Sequence, residues 1–127
     1  MSDETTNFRY MVDDVDAAVD FYTTHFGFTA QGPRSPAFAA VERGNLRLLL
    51  SGPASSAGRP MPDGATPGPG GWNRVHFVVD DLVAEVARLR GAGVRFRNDV
   101  VTGPGGSQIL IEDPSGNMVE LFQPAAG

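Results

Sequence analysis

Phe8, Tyr10 and Val12 alternate with Asn7, Arg9 and Met11, which is the two-residue period of a half-buried strand. The period then changes. Val15, Ala18, Val19, Tyr22 and Phe26 recur at helical spacing, so a helix with one apolar face follows, and Asp13-Asp14 ahead of it offers an N-cap and favourable charge for its first turn. Gly27 stops that helix, a short strand runs around Phe28 to Gln31, and Pro33 to Pro36 breaks the chain. Ala37 to Glu42 and Asn45 to Ser51 then read as two strands about a tight turn at Arg43-Gly44. That turn would set Glu42 opposite Asn45, Ala40 opposite Arg47 and Phe38 opposite Leu49.

The second half repeats the order. Val12-Asp13-Asp14-Val15 is echoed by Val79-Asp80-Asp81-Leu82, an offset of 79 − 12 = 67 positions. Trp72 to Val79 reads as a strand, Asp81 to about Arg90 as a helix stopped by Gly91-Ala92-Gly93, and Val94 to Val101 as a strand. Gln108 to Glu112 and Asn117 to Gln123 form a hairpin around Pro114-Ser115-Gly116, and Pro124 ends the pattern. Between the halves, residues 52–71 are about half Gly or Pro, too many for a strand or helix, and predict a long ordered loop or linker. The expectation is a single domain over 1–127 of class α+β, with paired β-α-β-β-β units at about 6–51 and 72–123. Such a pair is expected to form a curved mixed sheet around a cup-shaped cleft.

Composition narrows the function. With 127 residues, 41% hydrophobic and 20% charged, the chain suits one domain with one core. A net charge of −5 argues against nucleic acid, whose phosphates require a basic face. The absence of cysteine rules out disulfides, zinc-thiolate sites and a thiol nucleophile. The polar start Met1-Ser2-Asp3-Glu4 leads into no long apolar run, so no membrane segment or secretory signal is expected and the cytoplasm is the default location.

The strand-Val-Asp-Asp-Val-helix pattern, with Asp20-Phe21-Tyr22 and Phe26-Gly27-Phe28, repeated and closed by Asp113-Pro114-Ser115-Gly116-Asn117-Met118-Val119-Glu120-Leu121-Phe122, resembles the vicinal oxygen chelate superfamily. That family includes glyoxalases, fosfomycin-resistance enzymes, extradiol dioxygenases and bleomycin-type antibiotic-binding proteins. The resemblance spans nearly the whole chain and is specific for fold rather than reaction. It implies metal ligands on the first strand of each unit, a fixed distance before Val-Asp-Asp, with a Glu in the last strand and, in glyoxalases, one in the fourth. Those positions hold Asn7, Arg74, Glu120 and Leu49. Asn is a poor ligand for a transition metal, Leu is none, and a protonated Arg repels a cation. No metal site and no cofactor is therefore expected, although His76, two residues beyond Arg74, could join Glu120 in an offset divalent site.

Alternation puts Asn7, Arg9, Met11, Phe38, Arg47 and Leu49 on the cup side of the first unit, and Trp72, Arg74, His76, Val78, Met118, Glu120 and Phe122 on that of the second. The candidate ligand-binding residues are Arg9, Phe38, Arg47, Trp72, Arg74, His76, Glu120 and Phe122, and the catalytic candidates are His76 and Glu120. Three arginines facing one carboxylate suggest a ligand with a carboxylate, phosphate, enolate or polar carbonyl group. Each also has a plainer reading. The arginines can reach solvent with their stems on apolar wall, Trp72 and Phe122 can be packing residues, and His76 can be a wall residue bonded to a neighbour. His25 is a surface residue favourable to the helix dipole, Asp113 to Asn117 is turn chemistry, and Arg95 and Arg97 form a solvated strand face. The resulting expectation is a small-molecule binding protein, a homodimer without nucleic-acid or membrane partners, holding an antibiotic or aromatic metabolite. The alternative is a lyase, isomerase or dioxygenase-like enzyme of the same family, working through a metal at His76 and Glu120 or through metal-free acid/base chemistry.

Overall fold

The computed structural model describes residues 4–126 and consists of two compact units that meet in sequence at Gly70 and Gly71. In the first, strand β1 (Thr6–Met11) leads to helix α1 (Val15–His25), followed by β2 (Thr29–Gln31), β3 (Phe38–Arg43) and β4 (Leu46–Ser51). The second repeats this with β5 (Val75–Val78), α2 (Leu82–Gly91), β6 (Arg95–Phe96), β8 (Gly106–Glu112) and β9 (Met118–Pro124), and adds a short β7 (Val101–Gly103). The sheet orders are β1-β4-β3-β2 and β5-β9-β8-β6, with β7 also pairing β8. Strands β1 with β4, and β5 with β9, are the parallel pairs. The fold is α+β, built from two β-α-β-β-β units as the repeat predicts, and neither sheet closes into a barrel.

The repeat has a physical basis at the helix starts. Asp14 accepts a hydrogen bond from the Ala17 amide at 3.1 Å and Asp81 one from the Ala84 amide at 3.0 Å, so each Asp-Asp motif satisfies donors that the first turn leaves open. Asp14→Ala or Asp81→Ala should each lower stability by about 1 kcal/mol, measurable as a shifted urea midpoint at unchanged m-value. At its far end α2 closes with Gly93 in the left-handed region, while Val94 donates to Leu89 and Gly93 to Arg90, the bond pair of a Schellman stop.

One face of each sheet is covered by its helix. In the first unit Val15, Ala18, Val19 and Tyr22 of α1 pack with Tyr10, Ala39, Val41, Leu48 and Leu50, all buried. In the second, Leu82 and Leu89 lie with Val75, Phe77, Ile109, Ile111, Val119 and Leu121. Strand alternation therefore leaves Arg9, Phe38, Arg47, His76, Glu120 and Phe122 on the opposite faces.

Three expectations are corrected in detail. The β3–β4 turn is Gly44-Asn45, so Phe38 opposes Ser51, Ala40 opposes Leu49 and Glu42 opposes Arg47. Gly44, at φ 61°, takes the first loop position, where a two-residue hairpin demands positive φ and arginine would be strained. A register shift of two residues preserves facing, so Phe38, Arg47 and Leu49 keep their side of the sheet. Second, the expected strand Val94 to Val101 is interrupted: Arg97 donates its amide to Leu110, but the return bond from the Leu110 amide goes to the side chain of Asn98. Third, the second unit's sheet begins at Val75, leaving Trp72 and Arg74 ahead of the strand.

The Gly/Pro segment is ordered at its start. Ser55 donates its hydroxyl to the Gly52 carbonyl at 2.6 Å, and a short 3-10 turn spans Ser56–Gly58. Gly58 is buried, and a Cβ there would meet the Pro53 carbonyl oxygen at 2.6 Å, so only glycine fits.

Candidate functional site

Glu120 organises the second unit's open face. It sits mid-strand in β9, between His76 of β5 and Leu110 of β8, and only 6% of it is exposed. A carboxylate that deep needs partners. Arg74 Nε donates to Glu120 Oε1 at 2.8 Å, and Arg74 Nη1 also donates to the Trp72 carbonyl at 3.1 Å. The other oxygen, Oε2, lies 3.4 Å from His76 Nε2. His76 in turn lies against Phe122, with ring centroids 5.0 Å apart. These four side chains form one cluster of guanidinium, carboxylate, imidazole and phenyl groups, flanked by buried Met118.

Trp72 stands elsewhere. It is 62% exposed, and the Arg97 guanidinium lies 5.3 Å from its ring centroid. Arg97 and Arg95, expected as a solvated face, are exposed and loosely paired to Glu112 at 3.6 and 4.0 Å. His25 stacks edge-on to Phe21 at 5.3 Å.

In the first unit Arg9 and Arg47 behave differently. Arg9 Nη1 donates to Ser51 Oγ at 2.6 Å, and Ser51 is fully buried. Sequence reasoning omitted Ser51. Alternation would have revealed it, because Ser51 shares its face of β4 with Arg47 and Leu49. Arg47 lies between Asn7 and Glu42 in the sheet, yet its Nε is buried without a hydrogen-bond partner among the described residues. A buried donor left unmatched costs free energy that an apolar side chain of similar length would not. Arg47→Met should therefore raise stability by about 1 kcal/mol in urea unfolding; a loss would show that the guanidinium contributes more than its stem.

The cluster does not suit the family's metal. Both Glu120 oxygens already face nitrogens, and a cation would have to displace a guanidinium that stays protonated. Among the described residues no group of three or more His, Cys, Asp or Glu side chains could hold a metal ion.

Asp113, in contrast, is wholly structural. It accepts hydrogen bonds from the amides of Ser115 and Asn117, both at 2.9 Å, and from Asn117 Nδ2 at 3.1 Å. This is the turn chemistry expected of the motif, and it fixes the hairpin carrying Glu120.

Comparison with known proteins agrees with this architecture. The chain is 35% identical over 112 residues to the provisionally named glyoxylase CFP32 of Mycobacterium tuberculosis, a match covering 87% of this chain and 41% of that protein. It thus spans about two fifths of that relative's length. The crystal structure of TnmS3, an antibiotic binding protein from Streptomyces sp. CB03234, superposes with a TM-score of 0.71 at 27% identity, covering 98% of both chains. Lactoylglutathione lyase from Agrobacterium tumefaciens gives a TM-score of 0.70 at 25% identity over 93% of this chain and 91% of that one. No helix among the described residues is long and apolar enough to cross a membrane. The family model for the Glyoxalase/Bleomycin resistance protein/Dioxygenase superfamily matches residues 5–121, and the chain belongs to that superfamily.

Proposed function

We propose that this protein binds a small aromatic or amphipathic molecule bearing an anionic or strongly polar end, and makes or breaks no bond in it. The observation that carries this reading is the Arg74–Glu120 contact of 2.8 Å. It places a permanent cation where the resemblance implies a metal ligand, and neutralises the one carboxylate that such a metal would use. The open face of the second unit then offers a stacking surface at Phe122 with Arg74 to fix an oxyanion or carbonyl, and that of the first offers Phe38 with Arg9 and Arg47. The likeness to TnmS3, described as an antibiotic binding protein, favours sequestration of an antibiotic or metabolite over turnover. We place the protein in the cytoplasm as a homodimer, which light scattering at micromolar concentration would show.

The test is untargeted mass spectrometry of small molecules released when the protein, purified from an extract of its host, is denatured. The reading expects an aromatic or amphipathic compound with an acidic or polar group, depleted in an Arg74→Met preparation. An equal yield from both proteins would count against it.

One observation favours a second reading. His76 Nε2 lies 3.4 Å from Glu120 Oε2, close enough for proton exchange once geometry tightens around a substrate. A metal-free lyase or isomerase would use Glu120 as base and His76 as acid. In that case Glu120→Gln abolishes turnover of a glyoxalase-type substrate while the fold persists.

A further inference from the structure

A second cluster lies outside the Glu120 site. Arg90 on the last turn of α2, Phe96 of β6, and Arg97, Asn98 and Asp99 at the strand break line a surface cavity of about 300 Å³. The break creates it: because the Asn98 side chain substitutes for a backbone acceptor toward Leu110, the chain leaves the ladder and turns two guanidiniums toward one space. Both are steadied by rings. The Arg90 guanidinium lies 4.6 Å from the Phe96 centroid, and that of Arg97 lies 5.3 Å from Trp72. A guanidinium seated on a ring face is held in place while its N–H edges stay available to an acceptor.

Local carboxylates leave those edges under-used. Asp99 approaches Arg90 at 3.9 Å and is wholly exposed, and Glu112 approaches Arg97 at 3.6 Å while also serving Arg95 at 4.0 Å. All three contacts exceed hydrogen-bond length. Three arginines thus share two loosely held carboxylates in a protein whose net charge is −5. The chain contains no lysine, so its anion chemistry rests on guanidinium forks.

We infer that this cavity is an anion site for a small phosphate-bearing ligand, a phosphomonoester or pyrophosphate. Two forks arriving from different elements match a multivalent tetrahedral oxyanion better than a carboxylate, which one fork satisfies. The cavity is at the lower limit of ligand pockets, which admits a phosphate with a small organic part and excludes a drug-sized molecule. Asp99 is the competing acceptor and gives up its loose contact with Arg90 when the anion binds. The inference is independent of the function proposed for the Glu120 face.

Trp72, the chain's single tryptophan, reports on the site through Arg97. Inorganic pyrophosphate is titrated against chloride at constant ionic strength, followed by Trp72 emission and by calorimetry. The wild-type protein is expected to bind saturably. Arg90→Met, which leaves the Trp72–Arg97 contact in place, should weaken binding about tenfold, the loss of one charge-assisted contact. Asp99→Asn should tighten it severalfold. No saturable heat or emission change, an unaltered curve in Arg90→Met, or weaker binding in Asp99→Asn would each overturn the assignment.

Discussion

Asp113→Ala should lower the unfolding free energy by about 3 kcal/mol, because several hydrogen bonds to a charged acceptor vanish together and leave buried donors behind. Asp113 is wholly buried and holds three donors from Ser115 and Asn117, and its own amide donates to the Asn117 carbonyl at 2.8 Å. Alanine keeps the backbone bond and removes every side-chain acceptor. The loss extends beyond the turn, since the same loop sets the β8–β9 register that places Glu120 opposite Leu110. Denaturant unfolding measures the energy. Small-molecule affinity should fall as well, because a loosened hairpin no longer holds Phe122 in place as a stacking surface beside His76. A change below about 1 kcal/mol would mean that water or neighbouring groups replace the carboxylate.

Glu120→Gln is expected to cost about 1–3 kcal/mol, since the amide keeps the shape and one acceptor but leaves Arg74 without its counter-charge. Arg74 is about a quarter exposed, at 27%, so solvent screens part of the loss and the upper figure is a ceiling. Binding should move the other way. With one negative charge gone from the face, an anionic ligand binds as well or better, because Arg74 no longer divides its charge between Glu120 and the ligand. Urea unfolding and a ligand titration on this one variant test both signs. A variant that keeps its stability but loses turnover would support the acid/base reading of His76 and Glu120.

The elements were legible because their signals are local. Asp14 and Asp81 cap as their spacing suggests, and the alternation around Glu120 assigned its face correctly. What failed depended on backbone conformation or on competition between similar groups. Arg43-Gly44 looked like a turn, but the positive φ falls on Gly44 as the first loop residue, which moves the register by two. The interruption near Asn98 has no periodic signature, because a side-chain amide standing in for a ladder acceptor leaves no gap in the hydrophobic pattern. Spacing alone left Arg9, Arg47 and Arg74 as equivalent candidates. Three-dimensional placement separates them: Arg74 takes the carboxylate, Arg9 takes a buried serine, and Arg47 Nε takes nothing among the described residues. Exposure of Trp72 was equally hidden, since an aromatic at the head of a strand reads as core.

Arg74, a permanent cation, holds the carboxylate that a family metal would use. Metal content and thermal unfolding of the gently purified parent protein, before and after EDTA, test this at its source. No stoichiometric divalent metal and the same unfolding midpoint in both samples are expected. One tightly held Ni, Zn, Mn or Fe per chain, with a lower midpoint after its removal, would contradict it.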